Sequence, residues 1–111
     1  MVSVHPRREI LDVLIPLRAY LQQEYRDRLE QVILFGSQAR GDATFDSDID
    51  VLIVLRDPVN ASAELSRTSQ FIAQLCLEHN ILISRLFLPR SRFETENSPL
   101  LHRIRQEGIA L

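Results

Sequence analysis

The stretch VILFGSQARGDATFDSDIDVLIVL, Val32 to Leu55, decides how this chain folds. An apolar run from Val32 to Phe35 stops abruptly at Gly36-Ser37. A polar segment follows and ends in Asp46-Ser47-Asp48-Ile49-Asp50, where a second apolar run, Val51 to Leu55, takes over. Short apolar runs bounded by turn residues read as buried strands. Side chains alternate between the two faces of a strand, so Asp48 and Asp50 are expected to point the same way, with Cα atoms roughly 6.5–7 Å apart. Ile49 and Val51 then point into a core. Past the acids the second strand, Ile49–Leu55, is apolar on both faces, which suits a central strand covered on both sides.

Two carboxylates side by side on a buried strand repel each other and resist desolvation. A hard divalent cation neutralises both, and Mg²⁺ takes one or two carboxylates together with substrate phosphate oxygens. A polar turn running into a strand accounts for Asp46, Ser47 and Asp48. It does not account for Asp50 between Ile49 and Val51, because buried strand interiors rarely hold a bare carboxylate. At the far end of the loop, Gly36 has no Cβ, so a backbone there admits close approach of a ligand. Free N–H groups and the start of a helix at Ser37–Arg40 face an anion favourably, and Arg40 adds a forked donor for phosphate. One edge is built for phosphate and the other for metal, which is equipment for metal-assisted phosphoryl or nucleotidyl transfer. Gly41-Asp42 reads as a turn, and Thr44 and Ser47 as turn-forming hydroxyls near the site.

Outward from this stretch, Ile10, Leu14, Leu17 and Leu21 recur at helical spacing and predict an amphipathic helix from Arg7 to about Tyr25. Pro6 suits its first turn, and Pro16 predicts a kink or a late start. Arg26 to Gln31 leads into a first strand at Val32–Phe35. Asp57-Pro58 ends the second strand, and Asn60 or Ser62 caps a helix to about His79. That helix buries Leu65, Ile72 and Leu75, with Thr68, Phe71 and Cys76 alongside. A third strand is expected at Ile81–Leu88, stopped by Pro89, with Arg90, Ser91 and Arg92 as polar punctuation. Ser98-Pro99 signals a last helix, with Gly108 at its C-terminal glycine position. Ile109 to Leu111 forms a short strand or a tail. The class is α+β, a sandwich of α/β type in which a small mixed sheet carries packed helices.

With 111 residues, 45% of them apolar, the chain reads as one domain over residues 1–111 with a core of its own. It is small for an enzyme that grips a macromolecular substrate, so a partner chain is expected, either a copy or a different protein. A net charge of −2 offers no global field for nucleic acid. Arg7, Arg8, Arg90, Arg92, Arg103 and Arg105 lack the interleaved aromatics of a stacking platform. His5, His79 and His102 are isolated and lack metal-ligand spacing. The single Cys76 and the lack of a signal peptide or membrane span point to the cytoplasm.

Gly36-Ser37-Gln38-Ala39-Arg40-Gly41 followed by Ser47-Asp48-Ile49-Asp50 resembles the signature of the DNA polymerase beta nucleotidyltransferase superfamily, and within it the minimal nucleotidyltransferases of small prokaryotic proteins. The resemblance implies Asp48 and Asp50 as catalytic metal ligands. It also implies Gly36, Ser37 and Arg40 as nucleotide ligands, with a two-metal Mg²⁺ site and ATP or another NTP as substrate. It implies transfer of a nucleoside monophosphate, AMP from ATP, to a hydroxyl. The acceptor it suggests is a HEPN-type toxin partner, for which this chain would be the antitoxin. Active members of the superfamily carry a third carboxylate on a later strand. The matching run, Ile81–Leu88, has none, and Ser84 or Arg85 stands at that place. Ser84 could hold a metal-bound water, whereas Arg85 would repel a cation. Glu78, Glu94 and Glu96 lie outside the run. The alternative is therefore a nucleotidyltransferase-fold binding module, weak or inactive in catalysis, that neutralises its partner by complex formation.

Overall fold

The computed structural model describes residues 8–41 and 47–111. The expectations for His5, Pro6, Arg7, Asp42, Thr44 and Asp46 lie outside the described residues. Strand β2, Ile49–Leu55, has the bounds read from its sequence. It runs between β1, Leu29–Phe35, to which it is antiparallel, and β3, Ile83–Pro89, to which it is parallel. A short β4, Ile109–Ala110, pairs antiparallel with the far side of β1, so the mixed sheet has the order β3-β2-β1-β4. The parallel β2–β3 pair requires a crossover, which α3, Ala61–His79, supplies.

The double-sided apolarity of β2 shows where its neighbours lie. Val51, Ile53 and Leu55 join Val32 and Leu34 in a core closed by α1, Arg8–Tyr25, and by α3. Leu52 and Val54 face the other way with Ile33 and Leu88, against Leu101 and Ile104 of α5, Pro99–Glu107. All five residues from Val51 to Leu55 are buried. Residues of even number on β2 therefore share a face with α5, and Asp50 belongs to that set.

Several boundaries differ from the sequence reading. β1 begins at Leu29, because the charged lead-in closes with a 3₁₀ turn at Arg26–Arg28 and Leu29 already pairs with Leu55. α1 continues through Pro16 without a late start. The carbonyl that loses its bond there belongs to Asp12, which is exposed to water. Leu65 is turned outward and Glu64 is buried instead. β3 is shifted by two residues at its start and ends on Pro89, which an edge strand tolerates. Arg90, Ser91 and Arg92 belong to a six-residue helix, α4, Arg90–Thr95, stitched by Arg90–Glu94 and Arg92–Glu96 pairs at 2.7 and 3.1 Å. Gly108 is not left-handed (φ −68°). Its glycine is required by close approach, since a Cβ would lie 2.5 Å from both the Ile104 carbonyl oxygen and Ile33 Cγ2.

The caps read from the sequence hold. Asn60 Oδ1 accepts from the Ala63 amide at 3.1 Å, and Ser98 Oγ accepts from the Leu101 amide at 3.2 Å. Asn80 ends α3 in the left-handed conformation, φ 51°. Among the described residues, no helix is long and apolar enough to cross a membrane.

Candidate active site

The site begins where β1 stops. Gly36 takes φ 74°, outside the comfortable range of a residue with a Cβ, and turns the chain at once into α2, Ser37–Arg40. Its carbonyl accepts from the Ala39 and Arg40 amides, both at 3.1 Å. The Ser37 and Gln38 amides precede these first bonded ones, as at any helix start, and are left for other acceptors. Gly41 closes the turn at φ 80°, its amide donating to the Ser37 carbonyl at 3.1 Å. Gln38, which the sequence reading passed over, is buried and donates from Nε2 to the Ser47 carbonyl at 3.2 Å. It thereby ties the returning end of the loop to α2.

Sheet register brings the acid to this turn. Asp50 pairs with Phe35, the residue just before Gly36. A Cβ placed on Gly36 would stand 2.5 Å from Asp50 Oδ2. The glycine therefore serves two purposes: it permits the turn, and it leaves the Asp50 carboxylate room beside the backbone. Asp48 sits one residue before β2, where the sequence bounds of the strand also leave it, and is exposed, because regular pairing begins at Ile49. Asp50 is half-buried, and its pKa is raised above the usual aspartate range. Burial is the main cause, the neighbouring negative charge of Asp48 adds to it, and Arg40 opposes both. Among the described residues, Asp50 makes no hydrogen bond or ion pair.

The parallel neighbour settles the two candidates on β3. Ser84 pairs with Asp50 and Arg85 with Val51. Partners in register share a face, so Ser84 stands beside Asp50 at the site. Arg85 points to the opposite layer, where Nη1 donates to the Leu65 carbonyl at 3.3 Å and to Thr68 Oγ1. The repulsion that Arg85 would bring to a cation is therefore absent from this face. Glu78, Glu94 and Glu96 are engaged with Gln74, Arg90 and Arg92 respectively, away from Asp50. Among the described residues, no group of three or more His, Cys, Asp or Glu comes together. The oxygen donors that charge proximity and sheet register bring near Asp50 are the Asp48 carboxylate and the Ser84 hydroxyl. This fits magnesium, which keeps several waters and needs only one or two carboxylates plus phosphate oxygens.

On the other side of the Gly36 turn lies a cleft of about 140 Å³, walled by Phe35 and Gly36 at the end of β1 and by Leu100 and Ile104 from α5. Arg40, Arg103 and Glu107 stand at its polar rim. Arg40 Nη1 lies 3.6 Å from Glu107 Oε2. Across the face the order is thus Ser84, Asp50, Gly36, then Arg40 with α5.

The nucleotidyltransferase domain family matches residues 14–105. Two proteins of Methanocaldococcus jannaschii, both described as candidate protein adenylyltransferases, resemble the chain. One (MJ0604) is 33% identical over 92 residues, 82% of this chain and 86% of its own length. The other (MJ0141) is 31% identical over 83 residues, 75% and 83% respectively. Among solved structures, a toxin–antitoxin complex with AMP-PNP shares the fold at a TM-score of 0.60, with 17% identity over 94% of this chain and 72% of that one. A candidate nucleotidyltransferase from Sulfolobus solfataricus does so at 0.56, with 22% identity over 94% and 86%. A mutant form of the MntA-HpeT toxin–antitoxin complex does so at 0.58, with 18% identity over 87% and 70%. With a glycine turn, an aspartate pushed against it and a family match spanning most of its length, the chain belongs to the nucleotidyltransferase domain family.

Proposed function

We propose that this protein works as one minimal nucleotidyltransferase domain over residues 1–111 and transfers AMP from ATP to a hydroxyl of a partner protein. The partner would be a toxin of HEPN type, and the setting the cytoplasm. The observation that carries the reading is the Asp50 carboxylate packed into the space left by the missing Gly36 side chain. There an acid for metal and a turn for phosphate become a single site. The description of the archaeal relatives as candidate protein adenylyltransferases supports the acceptor class. The likeness of fold to toxin–antitoxin complexes supports a protein partner of toxin type.

In this reading Asp48 and Asp50 hold Mg²⁺. The Ser37 hydroxyl and the first amides of α2 hold phosphate oxygens, and Arg40 neutralises their charge. Bound at this place, magnesium supplies Lewis acidity at the phosphate and lowers the pKa of the attacking hydroxyl. The chain's own work is alignment: it fixes the α-phosphorus beside β2, with the leaving side towards Gly36 and the attacking side towards Ser84. The acceptor oxygen bonds to the α-phosphorus, the α–β bridging P–O bond breaks, pyrophosphate departs, and the hydroxyl proton passes to water. A cation held here would favour the ionised form of Asp50, against the burial that raises its pKa.

One observation favours a second reading. Ser84, not a carboxylate, stands opposite Asp50. A site with one acid fewer suits a module that binds nucleotide and masks its partner without turnover. Label transfer separates the two. With α-labelled ATP, Mg²⁺ and a HEPN-type partner, the transferase labels the partner, and Asp48→Asn lowers the rate about a thousandfold, the equivalent of several kcal/mol of lost metal assistance. An unlabelled partner that is neutralised equally by wild type and Asp48→Asn establishes the binding module instead.

A further inference from the structure

Most arginines of the α4–α5 region are consumed by the chain itself. Arg90 pairs with Glu94 and Glu30, and Arg92 with Glu96. Arg105 donates to the Phe93 and Glu96 carbonyls and lies over the Phe93 ring. Arg103 differs from them. It is exposed, lines the cleft beside Gly36 and Arg40, and makes no hydrogen bond or ion pair among the described residues. It is a cation brought by α5 to the rim of a cleft whose floor is the phosphate turn.

We infer that Arg103 binds the terminal phosphates of the nucleotide, and that Glu107 occupies Arg40 until those phosphates arrive. The inference rests on the nucleotide reading above and deepens it. Its basis is positional. Neighbouring strands lie about 4.8 Å apart, so Ser84, Asp50 and Gly36 mark a line across the face from β3 to β1. A triphosphate with its α-phosphorus beside Asp50 and its next phosphate at the Gly36–Ser37 turn continues beyond β1. Beyond β1 the next cations are Arg40 and Arg103. The cleft between them, of about 140 Å³, has room for a phosphate group. Glu107 is the one carboxylate among the described residues lining it, and its 3.6 Å approach to Arg40 places a negative group where the phosphate would otherwise go. A polyphosphate displaces Glu107 from Arg40 because it brings more charge and more acceptor oxygens. Arg103, with no partner to give up among the described residues, adds its forked donors without that competition.

The test uses calorimetric titration of the whole protein with MgATP, magnesium pyrophosphate and AMP. Arg103→Ala is expected to weaken ATP and pyrophosphate about tenfold, the loss of one hydrogen bond to a charged group, and to leave AMP unchanged. Arg103→Lys restores part of the loss, and Arg105→Ala serves as the control for a general change of surface charge. Glu107→Gln is expected to tighten pyrophosphate about threefold, since the competing carboxylate is gone. ATP and pyrophosphate binding that is normal in Arg103→Ala overturns the inference while the nucleotide reading stands. Equal weakening of AMP overturns it too, because a terminal-phosphate ligand does not touch AMP. A wild-type protein that binds neither ATP nor pyrophosphate with Mg²⁺ overturns the nucleotide reading and this inference with it.

Discussion

Glu64 and Asp50 are both acids drawn into the protein, one on each side of the sheet, and they are treated in opposite ways. Glu64 is buried on the α1–α3 side. Its Oε1 accepts from Tyr25 Oη at 2.8 Å, Arg67 Nε lies 3.1 Å away, and Arg28 stands within 3.8 Å of the other oxygen. The contact holds the Tyr25 hydroxyl neutral well above its ordinary pKa, by burial first and by the bond to Glu64 second. Asp50, on the α5 side, has lost part of its water, faces a like charge at Asp48, and has no hydrogen bond in return among the described residues. A satisfied buried acid serves the fold, whereas an acid whose desolvation is only partly offset by the protein, here through the charge of Arg40, calls for a ligand.

Neutralising the two acids therefore has effects of opposite sign. The larger belongs to Glu64. Glu64→Ala leaves the Tyr25 hydroxyl without its acceptor and takes from Arg67 the nearer of its two carboxylates, Glu24 remaining at 3.9 Å, at a cost of about 2–3 kcal/mol. In a domain of this size that lowers Tm by roughly 10–15 °C. MgATP affinity should not move, because the change lies on the far side of the sheet from the cleft. Thermal melting and calorimetry on the same preparation check both halves, and a loss of nucleotide binding without a loss of stability would reverse the assignment.

The smaller effect belongs to Asp50. Its pKa is raised in the folded chain, so over the interval between the ordinary value of 3.8 and the raised one the native state holds the proton more tightly than the unfolded state. Stability from this group is fully present below pH 3.8 and is lost as the pH rises through the folded value. Asp50→Asn without metal is thus expected to raise Tm at pH 7 by about 2–4 °C, a figure kept small because a half-exposed group is screened by solvent. The gain disappears below the ordinary aspartate range, and the variant loses its response to Mg²⁺. Melting curves from about pH 3 to pH 7 read it directly. A lower Tm for Asp50→Asn at neutral pH would mean that the carboxylate has a structural partner like that of Glu64.

The difference between the two acids also explains what could be read from the sequence. Asp50 announced itself because Ile49 and Val51 to Leu55 leave no room for a polar strand, and the Gly36-Ser37 stop marked the other wall of the site. The bounds of β2 and the caps at Asn60 and Ser98 follow from local chemistry and hold, whereas the choice between Ser84 and Arg85, left open by the sequence, is made by the β2–β3 register. Glu64 gave no such sign. On a helix surface it reads as an ordinary charge, and only the arrival of Tyr25, 39 positions earlier in the chain, makes burial tolerable. Arg103 and Glu107 were hidden for the same reason. They reach the site because α5 packs against β1, a contact between distant parts of the chain. Arg85 shows how fine the reading must be: a shift of one residue along β3 separates a group beside Asp50 from one on the opposite layer.

The most direct test of the central claim is anomalous scattering from Mn²⁺ in crystals grown with a non-hydrolysable ATP analogue. The account predicts a metal peak in the coordination sphere of carboxylate oxygens from both Asp48 and Asp50, with the polyphosphate running from it past Gly36 and Ser37. Manganese and analogue held elsewhere, with the Asp50 carboxylate still bare beside Gly36, would contradict it.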